Sequence, residues 1–150
     1  CLAAHPRAGI CLMHMKGDPK TMQEAPRYDD VMGEVHEYLL QRIEAAELAG
    51  IAPDRIAVDP GIGFGKDLDQ NLELMRGVGL LLDLGRPVLV GPSRKRFIGA
   101  ILDLPEDERV EGTIGAVVWM VGRGAHIVRV HDVREVVRAV RVADAIARPG

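Results

Sequence analysis

Residues 56–66 read Ile-Ala-Val-Asp-Pro-Gly-Ile-Gly-Phe-Gly-Lys, a short apolar run that ends on a carboxylate and breaks into a glycine-rich turn. An apolar stretch this brief, bounded by Pro and Gly, suits a strand buried on both faces, as parallel sheets require. Three further runs of the same kind are 9–15 (GICLMHM), 87–91 (PVLVG) and 126–133 (HIVRVHDV). Each ends on groups able to do chemistry: His14, Asp59, Ser93-Arg94-Lys95, and Arg129 with His131.

Helical patterns separate the runs. Val31, Val35, Leu39, Ile43 and Ala46 recur at helical spacing, stopped by Gly50 and Pro53. Leu68, Leu72, Met75, Val78 and Leu82 do the same before Gly85. The stretch 110–121 is apolar nearly all round and reads as a buried or interface helix. Asp132 with Glu135 reads as a cap and its capping-box partner, followed by an inward stripe of Val133, Val136, Val137, Val140 and Ala143. Strand then helix, four times over, predicts parallel βα units with right-handed crossovers. A Rossmann sheet wants a third glycine that Gly61-Ile62-Gly63-Phe64-Gly65 lacks at the right place. Functional groups at the ends of successive strands instead mark the active face of a β/α barrel, of which four units make half.

Composition excludes other classes. The chain has 150 residues, 47% hydrophobic and 27% charged, with a net charge of −3, which fits one domain with a core rather than a disordered tail. Lys and Arg number 19 against 22 Asp and Glu, so bulk charge gives no nucleic-acid footprint. No apolar run approaches the roughly 18 residues of a membrane span. Two cysteines rule out a disulfide scaffold and suit a reducing compartment. The chain opens on Cys1 with what reads as the end of an element, so a stretch of a longer protein is expected. Pro149-Gly150 reads as the end of order.

A carboxylate at an apolar strand end is costly unless paired. A fork of N–H donors, such as a 2-amino-4-oxo pyrimidine edge, would pair Asp59; an Asp capping a turn would read the same. The glycines admit a flat ligand close to the backbone, and Phe64 can cover a ring. In Gly91-Pro92-Ser93-Arg94-Lys95-Arg96 the cations want an anion or carbonyl-rich ligand, with Lys95 nearest the barrel mouth and Arg96 open to a solvated reading. Arg129 and His131 alternate with Val128 and Val130, which puts both on one side of a strand. With a helix N-terminus following, they suit a phosphate or diphosphate, an Arg–Asp structural pair being the alternative. Met13 and Met15 can line a heterocycle's pocket, whereas His14 reads as a satisfied structural residue. The remaining histidines lack zinc spacing, and no C-x-x-C, G-x-S-x-G or Walker motif is present.

Four stretches, CLMHMKGDPKTMQ (11–23), DPGIGFGK (59–66), GPSRKRFIG (91–99) and RVHDV (129–133), resemble in order and spacing the C-terminal half of the dihydropteroate synthase family of folate biosynthesis. The resemblance implies the C-terminal half of a (β/α)8 TIM barrel, with residues 1–150 as a single, incomplete pterin-binding domain carrying strands 5–8 and residues 1–8 as the end of the preceding helix. It implies condensation of 6-hydroxymethyl-7,8-dihydropterin diphosphate with 4-aminobenzoate to 7,8-dihydropteroate and diphosphate. Asp59 would bind the pterin edge, and Lys95 the pterin and the aminobenzoate channel. Arg129 would stack on the pterin and, with His131, hold the diphosphate. Ser93 would meet the aminobenzoate carboxylate, and Met13, Gly63, Phe64 and Gly91 would line the pocket.

A magnesium ion on the diphosphate is implied, its ligand expected upstream of Cys1. So are a homodimer through the last three helices, a cytoplasmic setting, and no nucleic-acid or membrane partner. An open half-barrel is expected to expose strand edges and an apolar face, and not to turn over by itself. A pterin-binding methyltransferase domain and a non-catalytic homologue acting as a binding module are the alternatives.

Overall fold

The computed structural model describes residue 5, residues 8–17 and residues 27–147. Most of the helix end expected over 1–8, residues 18–23 of the first motif, and Pro149-Gly150 lie outside the described residues.

Four strands form where the apolar runs stand: β1 (Ile10–Met13), β2 (Ile56–Asp59), β3 (Leu89–Val90) and β4 (Ile127–Val128). All pairings are parallel. Ile10 lies opposite Ile56 and Met13 opposite Asp59, while Leu89 and Val90 face Ile127 and Val128. A bridge between Val58 and Val88 joins the two pairs, and the Val58 N–H donates to the Pro87 carbonyl at 2.9 Å. The strands therefore neighbour one another in chain order. A doubly wound sheet reverses its order at a switch point, and no reversal occurs here. The architecture is four successive βα units with their strands in chain order, the arrangement expected of half a (β/α)8 barrel.

The helices are α1 (Val31–Leu48), α2 (Leu68–Gly77), α3 (Arg96–Leu102), α4 (Val110–Val121) and α5 (Val133–Ala147). The third unit thus carries two helices, of which α3 was not expected. On α1, Asp30 caps the first turn by accepting from the Gly33 N–H at 2.9 Å. Its stripe of Val31, Val35, Leu39, Ile43 and Ala46 is buried as the period predicts, in one core cluster with Ile56, Val58, Val88 and Val90 of the sheet region.

Two expectations change. A capping box between Asp67 and Gln70 starts α2, but beyond Gly77 the chain tightens into a 3-10 turn over Val78–Leu84. A three-residue period turns Val78, Leu81 and Leu84 inward and leaves Leu82, which a continued α-helix would bury, exposed. Leu68, at the opening of α2, is exposed as well. On α5 the expected inward stripe is largely uncovered. Val136 is buried, whereas Val133 and Val137 are exposed, together with Val142 and Ile146. The cause is topological: α5 packs on α4, and among the described residues no strand pairs with the outer edge of β4 or of β1. Among the described residues no helix is long and apolar enough to cross a membrane.

Leu39 is fully buried on α1, so Leu39→Ala is expected to cost about 2–5 kcal/mol, whereas Leu40→Ala on the outer face stays within about 0.5 kcal/mol. Urea unfolding checks this: the Leu39 variant should lose midpoint at unchanged slope.

Candidate active site

Asp59 closes β2 at 5% exposure. Its Oδ1 accepts from the Gly61 N–H at 2.8 Å. Burial pushes its pKa up; that hydrogen bond and the charges of Lys95, Arg129 and Lys66 oppose the rise. The charges of three separate loops thus act on one carboxylate: Lys95 and Arg129, which the sequence grouped with Asp59, and Lys66, which it did not.

The loop after Asp59 is fixed by sterics and by Lys66. Gly61 has φ +68°, and a Cβ there would lie 1.8 Å from the His14 carbonyl oxygen, so a side chain is excluded. Lys66 is 2% exposed, and its Nζ donates to the carbonyls of Gly61 at 3.0 Å and Phe64 at 2.9 Å. It also lies 3.0 Å from His14 Nδ1. An ammonium has no acceptor, so that imidazole nitrogen takes the proton bond and stays unprotonated. Burial, then the charges of Lys66 and Lys16, hold the His14 pKa down to about 4. Burial likewise lowers Lys66 to about 7, with Asp59 resisting. His14 is the satisfied structural residue its sequence suggested, its ring edge-on to Tyr38. Asn71 ties the same loop to α2: its Oδ1 accepts from Gly63 N–H at 2.6 Å, and its Nδ2 donates to Asp67 O at 2.6 Å.

Lys95 reaches back across this loop from the start of α3. Its Nζ donates to the Ile62 carbonyl and stands 4.3 Å from the centre of the Phe64 ring. The face of Phe64 expected to cover a ligand thus carries Lys95. A Cβ on Gly63 (φ +80°) would meet Lys95 Cδ at 2.8 Å, so the glycine is needed for the lysine to pass. Burial lowers the Lys95 pKa to about 8, with Asp59 opposing and Arg129 assisting.

Ser93 and His131 meet directly. Ser93 Oγ accepts from the His131 N–H at 3.1 Å and lies 2.8 Å from His131 Nδ1. Arg129 packs over Gly91, where an added Cβ would stand 3.4 Å from its Nε. The expected strand alternation of Arg129 and His131 needs correction. The ladder ends at Val128, and one further bond, Arg129 N–H to Val90 O at 3.0 Å, carries the pairing past it. Asp132 stands at the N-cap position expected of it, its carbonyl accepting from the Val136 N–H at 3.1 Å. Its carboxylate, expected to join a capping box with Glu135, instead takes a fork from Arg94, Nε to Oδ2 at 3.0 Å and Nη2 to Oδ1 at 2.5 Å.

A cavity of about 600 Å³ opens here, lined among others by Gly63, Lys66, Ser93, Lys95, Arg96 and His131. That is the size of a small-molecule site, and its cations suit an anion. Asp59, Met13 and Gly91 do not line this cavity, and Arg129 lines a neighbouring groove with Val128, Val130 and Val133. Met13 sits beside Asp59 in the β1–β2 register. Among the described residues no group of three or more His, Cys, Asp or Glu could hold a metal ion. Reading the sequence missed the roles of Lys66 and Asn71; a lysine closing a glycine-rich turn and an amide inside an apolar helical stripe were the available signals.

Residues 1–131 match the family described as "Pterin binding enzyme". The chain is 48% identical over 143 residues to the dihydropteroate synthase of Escherichia coli strain K12, covering 95% of this chain and 51% of that protein. The solved dihydropteroate synthase from Stenotrophomonas maltophilia with active site-bound imidazole superposes with a TM-score of 0.94 at 43% identity, covering 99% of this chain and 56% of that one. The one from Xanthomonas albilineans in complex with 7,8-dihydropteroate gives 0.90 at 41% identity, covering 99% and 54%. The chain spans about half the length of the curated relatives it matches.

The His14–Lys66 contact carries a pH signature. His14 titrates near 4 when folded and at its ordinary 6.5 when unfolded, so between those values the unfolded chain binds more protons. Stability from this group is present above pH 6.5 and is lost as pH falls toward 4. The stability gap between wild type and His14→Gln should therefore shrink by up to about 3 kcal/mol from pH 7 to pH 4. Urea titrations across that range check it, and a constant gap would contradict the neutral-histidine assignment.

Proposed function

The chain belongs to the pterin-binding enzyme family, and we propose from that premise that residues 1–150 carry strands 5–8 of a dihydropteroate synthase barrel. The reaction is condensation of 6-hydroxymethyl-7,8-dihydropterin diphosphate with 4-aminobenzoate. The carbon–oxygen bond to diphosphate breaks, leaving a cation delocalised over the pterin. The aniline nitrogen attacks the exocyclic carbon and loses a proton, and 7,8-dihydropteroate and diphosphate leave.

The observation that carries this reading is the Asp59 carboxylate, buried at the end of β2 and bonded to the Gly61 N–H, with Lys95 and Arg129 following β3 and β4 on the same side and their charges lowering its pKa. Asp59 pairs with the 2-amino and N3 edge of the pterin and offsets its developing positive charge. Lys95 hydrogen-bonds the pterin and bounds the aminobenzoate channel. Arg129 stacks on the pterin and, with His131, holds the departing diphosphate through charge-assisted bonds. Ser93 meets the aminobenzoate carboxylate and Gly63 lines the cavity, while Met13, Phe64 and Gly91 stand behind it, beside Asp59, Lys95 and Arg129 respectively. The magnesium ion implied for the diphosphate finds no donor set among the described residues.

A homodimer through the last three helices belongs to the same proposal. Exposed Ile101, Leu102 and Trp119 around an apolar groove of about 340 Å³ support it. So does a cytoplasmic setting, which suits the free thiol of Cys11.

In the protein as its gene encodes it, supplying both substrates should yield dihydropteroate and diphosphate. Asp59→Asn is expected to lower kcat/KM by about 10²–10³-fold. Arg129→Ala is expected to weaken diphosphate binding by about tenfold or more. Steady-state kinetics and calorimetric titration with diphosphate read these out; unchanged diphosphate binding in Arg129→Ala would sink the assignment.

A further inference from the structure

Arg94 occupies a conformation that its type resists. Its φ is +57°, in the left-handed region, and the residue carries a full side chain. Such a residue persists only where its surroundings hold it there. Here its backbone N–H, its carbonyl and two of its three guanidinium nitrogens are engaged. Its N–H donates to Thr113 Oγ1 at 3.0 Å, and Thr113 is fully buried in α4. Its carbonyl accepts from Arg109 Nη1 at 3.0 Å. Its guanidinium forks onto Asp132 with two near-parallel bonds, the strong arrangement for such a pair.

The position of this pair matters more than its strength. Arg94 stands between Ser93 and Lys95, and Asp132 follows His131 directly. Ser93 bonds His131 through both its ring and its backbone N–H. Two consecutive residues of one loop are thus zipped to two consecutive residues of the other. Any shift of the 93–95 turn must drag 129–132 with it, or break the fork and release a strained residue.

We propose that Arg94 and Asp132 are positioning residues whose ion pair holds the 93–95 turn and the 129–131 segment at one fixed spacing. The proposal rests on the reading above in one respect: the turn serves the aromatic amine and pterin, the segment the diphosphate. Their spacing then sets the distance between the attacking nitrogen and the leaving group, where displacements of about 1 Å can cost about 10²-fold in rate.

The test uses Arg94→Ala, Asp132→Ala and the double variant in the protein as its gene encodes it, with Asp132→Asn as the shape-preserving form should the alanine variant fail to fold. Hydrogen exchange is followed over residues 91–97 and 129–134, alongside kcat and KM for each substrate. Each single variant should raise exchange in both segments and lower kcat by about tenfold to 10²-fold with smaller changes in KM, the double variant being no worse than the poorer single one. Exchange confined to the altered segment, or additive losses in the double variant, would overturn the proposal. So would a loss on Arg94→Ala with none on Asp132→Ala, which would make Arg94 a direct ligand contact. Coupled exchange in a protein that fails to condense the two substrates would leave the positioning pair standing and remove the proposed reaction.

Discussion

A carboxylate at 5% exposure needs partners to keep its charge, and for Asp59 these are the Gly61 N–H and then the cations Lys95, Arg129 and Lys66. Lys66 lies seven positions along its own loop, whereas Lys95 and Arg129 follow β3 and β4. Parallel strands taken in chain order put these loops on one face, and a single antiparallel strand would carry its loop to the other end. The parallel register that sets Met13 beside Asp59 is thus also the condition for that carboxylate to be tolerated where it is.

The cations around it are themselves held under strain of charge. Burial brings Lys66 to about 7 and Lys95 to about 8. Both line the same cavity as Ser93 and His131. Asp67 and Glu106 are the acidic side chains on that lining, against Lys66, Lys95, Arg94, Arg96 and Arg109. An anion entering there would meet a surplus of cations and, by adding opposite charge, would raise both lysine pKa values. His14 fits the same scheme. As a neutral acceptor on Lys66 it satisfies the ammonium without adding a second positive charge to the loop.

The parts of this arrangement that the sequence exposes are those governed by short-range rules. Apolar runs ending on Asp59, Ser93 and Arg129 mark strand ends, and the period from Val31 to Ala46 marks α1. What it hides depends on distant partners. The seven residues of α3 span barely two turns, too few for a period to stand out behind the charges of 94–96. The tightening of the chain after Gly77 changes which leucines face inward, with no residue that announces it. Asp132 before Glu135 satisfies the local rule for a cap, but a guanidinium 38 positions away makes the stronger bond. The α5 stripe is real as a pattern, yet burial is a property of two surfaces, and the described residues provide cover for Val136 alone among its buried positions.

The shortness of β3 and β4 decides how the site can be kept rigid. Each pairs over two residues, Leu89 with Ile127 and Val90 with Val128, so the ladder defines the direction of the loops that follow but little of their separation. Beyond it the single bond from Arg129 to Val90 holds the backbones together. Side chains must then supply the remaining constraint. Ser93 with His131 and Arg94 with Asp132 do so from adjacent positions, while Thr113 and Arg109 anchor the turn to α4 and to the segment before it. A barrel strand can be short at this end because its loops are bonded to each other. The same economy leaves the loop residues polar, and polar residues at strand ends are what a reader of the sequence can see.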